Sequence, residues 1–236
     1  MTARSLCAGV LAAGRGERLR TRPSDLKPLT RIGNETLIEH VLNSIAVAGA
    51  SKVIVIINEE SDAVRDHVVK RDWPFALDWL IESPPSSMHS FLRLVEALAE
   101  IQAEGPFLLS TVDTVAGPAV YSDFMKQAHA REAAVTLALT SPGDDEKPLL
   151  VRTVPGDSRI EAFGEGEFAT AGIYAVRPIV LDEANEARRD GIDALRKFLN
   201  RLLERGYHLE GIPISGSIDV DRPGDIVAAE AFLRSL

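Results

Sequence analysis

Strand-length apolar runs alternate with segments of helical periodicity through the first half of this chain, and that alternation restricts its fold more than any other feature. Residues 5–12 (SLCAGVLA), 52–58 (KVIVIIN), the FALDWLIE segment and 106–113 (PFLLSTVD) read as strands. The second run is β-branched and nearly all apolar, as suits a parallel strand covered on both faces. Between the strands, ETLIEHVLNSIAVAGA sets Leu37, Ile38, Val41, Leu42 and Ile45 on one helical face, with Gly49 suited to its end. SDAVRDHVVKR is a second helix with Ser61 or Asp62 as its cap, and residues 87–103 form a third. This β-α-β-α order predicts right-handed crossovers and an α/β, doubly wound sheet.

Beyond Asp113 the pattern changes. AAVTLALT, PLLVRTV and RIEAF, separated by the turn-rich SPGDDEK and PGDS, predict a more antiparallel insertion before ATAGIYAV. A helical stretch around 178–205, a short strand near HLEGIPI, then SIDV and a closing helix from Pro223 complete the chain. No repeat, low-complexity segment or linker interrupts it, so residues 1–236 are expected to form one domain.

At 236 residues and 45% hydrophobic, the chain is long enough for a full α/β core. Its net charge of −9 argues against nucleic acid or an anionic membrane as partner, since both favour basic surfaces. Arg4 and the apolar run after it loosely resemble a signal peptide. The run is brief, however, and ends in a charged loop without a composition break. No segment has the length needed to span a bilayer. The lone cysteine, Cys7, sits in an apolar run and reads as a small core residue. The expectation is a cytoplasmic protein.

Against this acidic background, Arg15, Arg18, Arg20, Arg22 and Lys27 crowd the residues just after the first strand. Gly14 and Gly16 let the backbone turn tightly and bring N–H groups close to phosphate oxygens. A dinucleotide fingerprint would need a third glycine where Leu19 stands and an acidic residue ending the next strand, which here ends in Asn58 followed by Glu59. A Walker A loop would need Gly-Lys-Ser/Thr, which is absent. A strand-to-helix turn with solvated arginines is the plain alternative. Lys27, its backbone restricted by Pro28, supplies a point charge that complements the forked donors of Arg15 over the same pocket. The loop is therefore read as a nucleoside triphosphate site, with Arg15 and Lys27 as solvent-facing cations.

The segment VLAAGRGERLRTRPSDLKPLTRIGNETLIEHVL resembles the N-terminal signature of the nucleotidyltransferase superfamily that makes nucleoside-diphosphate sugars and related activated metabolites. The resemblance is specific over residues 10–42 and looser, in the expected order, to the C-terminus. It implies a Rossmann-like, mostly parallel sheet with a partly antiparallel acceptor-binding insertion. The nucleotide-binding part would span about 1–115, the acceptor-binding part about 116–215, and a closing metal motif and helix 216–236. It implies attack of an acceptor phosphate oxygen on the α-phosphorus of an NTP, with pyrophosphate leaving. By position, Arg15 and Lys27 would be the catalytic cations. Leu11, Ala12, Ala13, Gly14 and Gly16 would hold the nucleotide.

Such chemistry needs Mg²⁺ or Mn²⁺ on carboxylates. Asp113, at the end of PFLLSTVD, takes the position of the family's Gly-Asp pair, here Val112-Asp113. The family's closing Asp-x-x-x-Pro-x-Asp motif matches Asp219, Pro223 and Asp225, and Asp221 shares the face of Asp219 if the stretch stays extended. Asp113 and Asp219 are expected at the carboxyl ends of strands in one sheet, and Asp225 as a helix cap. By the same resemblance, Glu165, Ala171 and Gly172 would face the acceptor.

Two departures bear on substrate. Many sugar-phosphate members carry Glu-Lys before the aGiY strand, where this chain has Glu165-Gly166. Their Gly-Thr-Ala segment is replaced by SPPSSMHSFLRL, which resembles the serine-bearing version in cytidylyltransferases of small phosphorylated alcohols; Ser87 and Ser90 would then touch the nucleotide, unless they only cap the helix. His89 is either a base or ribose contact or a helix-face residue. The expected partners are an NTP, CTP or UTP ahead of ATP or GTP, and a phosphorylated sugar or alcohol. A regulatory module that binds nucleotide without turnover and a nicotinamide dehydrogenase are the alternatives.

Overall fold

The computed structural model describes residues 5–19, 25–143 and 148–236. Arg20 and Arg22, and residues 144–147 of the SPGDDEK turn, lie outside the described residues. Strand β1 (Leu6–Ala12) runs into the glycine loop. A 3₁₀ turn at Lys27–Leu29 and a short hairpin, β2 (Arg31–Ile32) and β3 (Glu35–Thr36), lead to α1 (Leu37–Val47). The alternation continues through β4 (Ala50–Ile57), α2 (Asp62–Val68), β5 (Ala76–Ile81), α3 (Ser87–Ile101) and β6 (Phe107–Thr111). Next come β7 (Thr114–Ala116), α4 (Pro118–His129), β8 (Val135–Thr140), β9 (Leu150–Thr153), β10 (Ile160–Phe163) and β11 (Phe168–Val176). A 3₁₀ stretch at Pro178–Glu183, α5 (Ala184–Arg189), α6 (Leu195–Glu204), β12 (Leu209–Pro213), β13 (Ser217–Asp219) and α7 (Pro223–Arg234) close the chain.

Among the described residues the main sheet has nine strands in the order β10-β9-β11-β6-β1-β4-β5, with β8 on β11 and β12 on β8. β6, β1, β4 and β5 are mutually parallel. β11 joins β6 antiparallel, and β9 and β10 continue antiparallel beyond it. The α/β, mostly parallel sheet with a partly antiparallel continuation is therefore as expected.

Alternation along β1 divides the core. Leu6, Ala8, Val10 and Ala12 face one layer with Ile38, Val41, Leu42 and Ile45 of α1 and Val64 and Val68 of α2. Cys7 faces the opposite layer with Phe91, Leu92 and Val95 of α3 and Phe198 and Leu199 of α6. Each large apolar side chain taken wholly from water in these layers contributes roughly 1.5–3 kcal/mol. α1 begins on a capping box, in which Glu39 Oε2 accepts from the Thr36 backbone N–H at 2.7 Å.

Three features differ from the sequence reading. Asp219 ends β13, which pairs with β7 in a separate two-stranded sheet rather than lying in the main one. The helical stretch expected at 178–205 is divided into a 3₁₀ stretch, α5 and α6. Helix α4 was not foreseen, although Pro118 suits a first helical position and Val120, Tyr121, Phe124, Met125 and Ala128 make one buried face.

Tyr121 ties α4 to the strand that leads to Asp113, through a 2.8 Å contact between its hydroxyl and Ser110 Oγ in the interior. Tyr121→Phe removes this bond and keeps the ring, so a loss of about 0.5–1.5 kcal/mol is expected in urea unfolding. A variant as stable as wild type would show that the bond contributes nothing net.

Candidate active site

The chain passes from β1 to β4 and β5 on one side, then returns through α3 to β6 on the other side of β1. Loops leaving β1 and β6 therefore diverge at the carboxyl ends of neighbouring parallel strands, where open α/β sheets form their ligand crevice. A cleft of about 730 Å³ opens there. It is lined by Ala13, Gly14, Arg15, Gly16 and Arg18 from the loop after β1, by Lys27, and by Asn58 at the end of β4. Ser83, Ser86, Ser87 and Ser90 form another wall, and Thr111, Asp113 and Asp221 complete the lining.

Lys27 is not a solvent-facing cation: only 8% of the residue is exposed. The 3₁₀ turn at Lys27–Leu29 directs its stem against the glycine loop. Gly16 adopts φ +61°, and a Cβ there would come within 2.4 Å of the Lys27 Cβ, so the glycine is needed for both the turn and the contact. The Lys27 ammonium donates to Asp113 Oδ2 at 2.6 Å and to Asp221 Oδ1 at 2.5 Å. Burial by itself would lower the lysine's pKa. The Asp113 charge and the hydrogen bonds to both carboxylates outweigh it, and the net shift is upward.

Asp113, Asp219 and Asp221 place ligand oxygens within 4.8 Å of one another. The β7–β13 ladder brings them together: Asp219 registers opposite Thr114, and the Val220 N–H donates to the Asp113 carbonyl at 3.1 Å. Burial opposes ionisation of Asp113, but the Lys27 charge and hydrogen bonds from Lys27 and Thr111 hold its pKa below the usual carboxylate range. Asp219 behaves oppositely. The residue as a whole is exposed, yet its carboxyl is crowded by protein atoms and has like-charged neighbours. Desolvation first, then the Asp113 and Asp221 charges, push its pKa up to about 8, against the weaker pull of Lys27. The Asp219 carboxyl therefore keeps its proton to higher pH than an ordinary aspartate, with Asp113 held ionised beside it. The cluster thus sets three carboxylates against one ammonium, with one carboxyl resisting ionisation, a balance that a divalent cation would restore. Three close carboxylates, one of them unable to ionise readily, suit an oxygen-seeking ion such as Mg²⁺.

Leu11, Ala13, Gly14, Arg15, Gly16, Ser87 and Ser90 line the cleft, Arg15 with an exposed side chain. The Ala12 side chain instead lies in the core at 1% exposure, leaving only its backbone near the loop. Ser86, not Ser87, caps α3, accepting from the His89 N–H at 3.4 Å. Ser87 Oγ accepts from the Leu195 N–H at 3.0 Å and so joins α3 to the start of α6. His89 Nδ1 is 2.8 Å from Ser86 Oγ, which makes this histidine part of the cap. Ala171 and Gly172 sit behind Asp113, where Thr114 Oγ1 donates to the Ala171 carbonyl at 3.1 Å and contacts Thr111 Oγ1 at 2.8 Å. Glu165 pairs with Arg152 at 2.7 Å and is not brought to the cleft lining. Asp225 accepts from the Asp221 and Arg222 N–H groups at 2.9 and 2.7 Å, as a cap of α7. Asn58, which sequence reasoning noted only as the end of a strand, is buried in the cleft wall. Its signal was a polar amide closing an otherwise apolar run.

Two outcomes follow from the cluster. Lys27→Met leaves Asp113 facing Asp221 without their cation; breaking a buried pair costs up to about 3–5 kcal/mol, less here because Asp221 stays partly in water. The variant should melt lower than wild type in chelator and regain stability with millimolar Mg²⁺, whereas identical melts with and without Mg²⁺ would count against shared ligands. The second outcome concerns pH. The folded Asp219 titrates near 8 and an unfolded aspartate near 3.8, so between those values the folded state holds a proton that the unfolded state lacks. Its contribution to stability is fully present below about pH 3.8 and declines as pH rises through 8. A divalent ion must displace that proton, so Mn²⁺ titration calorimetry at pH 7 in buffers of different ionisation enthalpy should show about one proton released per ion. No buffer dependence would rule out Asp219 as the protonated partner.

Residues 8–173 match the model of the MobA-like NTP transferase domain. Among curated relatives, a mannose-1-phosphate guanyltransferase from Aspergillus oryzae is 28% identical over 96% of this chain and 64% of its own length. A CMP-5'-(3-aminopropyl)phosphonate synthase from Streptomyces rubellomurinus is 28% identical over 92% of this chain and 37% of its own. The chain therefore spans about a third to two-thirds of the length of these relatives. An inositol-1-phosphate CTP transferase from T. maritima superposes with a TM-score of 0.78 at 18% identity, covering 99% of this chain and 98% of that one, and shares the fold. With the family model matching well over half of its residues, and the glycine loop and carboxylate cluster at the crevice of its sheet, the chain belongs to the MobA-like NTP transferase family.

Proposed function

We propose that this protein transfers a nucleoside monophosphate from an NTP to a phosphorylated small molecule. An acceptor phosphate oxygen attacks the α-phosphorus, and the bond to the β-phosphate oxygen breaks to release pyrophosphate. The observation that carries this reading is the meeting of a glycine-arginine loop with a lysine-carboxylate cluster in one cleft. A loose phosphoryl-transfer transition state needs positioning and charge neutralisation more than a protein nucleophile. Backbone N–H groups at Gly14 and Gly16 would cradle the phosphates, and Arg15 would contact the triphosphate and the departing pyrophosphate. Lys27 would pass from the carboxylates to the phosphates at the reacting centre. Asp113, Asp219 and Asp221 would hold a divalent ion, Mg²⁺ or Mn²⁺, which when bound supplies charge stabilisation at the reacting phosphate oxygens. Retention of all these groups favours turnover over a nucleotide-binding regulatory module.

For the acceptor, the glycine at 166 is informative. It adopts φ +130°, and a Cβ there would stand 2.0 Å from the Val151 carbonyl oxygen. A lysine cannot occupy this position unless β9 moves. The acceptor phosphate would then rely on Lys27, the metal site or another basic residue, which gives phosphorylated alcohols and atypical sugar phosphates the same standing as hexose-1-phosphates. The serine-bearing wall at 83–90 supports CTP or UTP as donor. Among the described residues no helix is long and apolar enough to cross a membrane.

The test is pyrophosphate release from each of four NTPs against sugar-1-phosphates, phosphoalcohols and phosphonates, with Mg²⁺. At least one pairing with CTP or UTP should turn over, and Arg15→Ala and Asp113→Asn should each lose on the order of tenfold to a thousandfold in kcat/KM, the scale of one transition-state charge contact. Binding of an NTP without pyrophosphate from any pairing would favour the regulatory module instead.

A further inference from the structure

The Asn58 carboxamide makes three bonds just past the carboxyl ends of the β1–β4 and β4–β5 ladders, where the chain leaves the sheet and forms the cleft wall. Its Oδ1 accepts from the Glu60 N–H at 3.0 Å and from Ser61 Oγ at 2.7 Å, which closes the turn after β4. Its Nδ2 donates to the Ala13 carbonyl at 3.3 Å, in the loop after β1. The next residue extends the connection, since the Glu59 N–H donates to Ser83 Oγ at 3.2 Å, in the loop that leads to α3. Ala13, Asn58, Glu60 and Ser83 all line the cleft. The partners also fix the amide's orientation: a flipped amide would set N–H against N–H and oxygen against oxygen.

We infer that Asn58 is a positioning residue that holds the phosphate loop, through Ala13, in register with the opposite nucleotide wall at Ser83. Only an amide of this length presents an acceptor to an N–H and a donor to a carbonyl at once. Aspartate keeps the two acceptor bonds of the turn and loses the donor to Ala13. Alanine loses all three bonds. Ser61→Ala weakens the turn and leaves the Ala13 bond in place. Because Asn58 orders a loop that meets the triphosphate before and during transfer, it acts equally on ground and transition states. Its loss therefore raises KM for the NTP and leaves kcat nearly unchanged.

This inference rests on the loop being a triphosphate site, so two readouts are paired. The first is hydrogen–deuterium exchange of the ligand-free protein over residues 13–17. Asn58→Asp and Asn58→Ala should both speed exchange there by roughly three- to tenfold, the size of one net hydrogen bond, while Ser61→Ala should not. The second is NTP affinity by calorimetry and KM by pyrophosphate release. Both Asn58 variants should weaken the NTP three- to tenfold, with kcat kept within about twofold and the acceptor's KM unchanged. The added charge of Asn58→Asp could itself repel the NTP, and for that reason the ligand-free exchange and the neutral Asn58→Ala are decisive. Exchange at 13–17 like that of wild type in both variants would overturn the clamp, as would a loss in kcat with an unchanged KM. A wild-type protein that binds no NTP would overturn the triphosphate reading instead, and the exchange result would still decide the clamp.

Discussion

A buried ammonium held between two carboxylates organises this molecule. Lys27 contributes the charge, Asp113 and Asp221 flank it at 2.6 and 2.5 Å, and the three come from residues far apart in the chain. Each partner would be costly alone: a desolvated lysine would shed its proton, and a desolvated aspartate would take one up. Together Lys27 and Asp113 stay ionised, and with Asp221 bonded to the same ammonium the loop after β1, the turn after β6 and the start of α7 are drawn to a single point. The third carboxylate, Asp219, adds more negative charge than one lysine can balance, and the pair with Asp113 answers by retaining a proton. A site with a surplus of negative charge and a removable proton is poised for a divalent cation.

The sheet decides where this point falls. Because β1 has a parallel neighbour on each side, the loops at its carboxyl end and at that of β6 separate, and the cleft lies between them. The small ladder of β7 with β13 then returns the end of the chain to the same place, with Asp219 opposite Thr114. That ladder is three residues a strand. It is too short to be stable by itself and depends on packing in the cluster of Leu19, Ile32, Leu37, Val115 and Val220. The position of the closing carboxylates is therefore set by core packing as well as by charge.

Backbone, more than side chains, decides what can stand at position 166. Gly166 lies so close to the Val151 carbonyl that β9 excludes any larger residue there, and Glu165 turns outward to Arg152. The absence of a lysine at this position thus follows from how closely the backbone before β11 passes β9.

Much of this was legible from residues alone. Periodicities of two and 3.6 gave away the alternating parallel half, since burial on both faces demands apolar strands and covering helices demand an apolar stripe. Glycines beside arginines marked the loop, because a tight turn and phosphate chemistry both restrict residue type. The closing aspartates were legible only through the resemblance to a family's Asp-x-x-x-Pro-x-Asp motif. What only the tertiary structure decided was contact across long separations: that Lys27 is buried on Asp113 and Asp221, that Asp219 belongs to a second small sheet, that Ser87 secures α6, and that Asn58 bridges two loops. Local propensity carries no record of such pairings, because the same lysine, serine or asparagine is equally at home in water. Only the crossing of strands and the desolvation it imposes assign each one its partner.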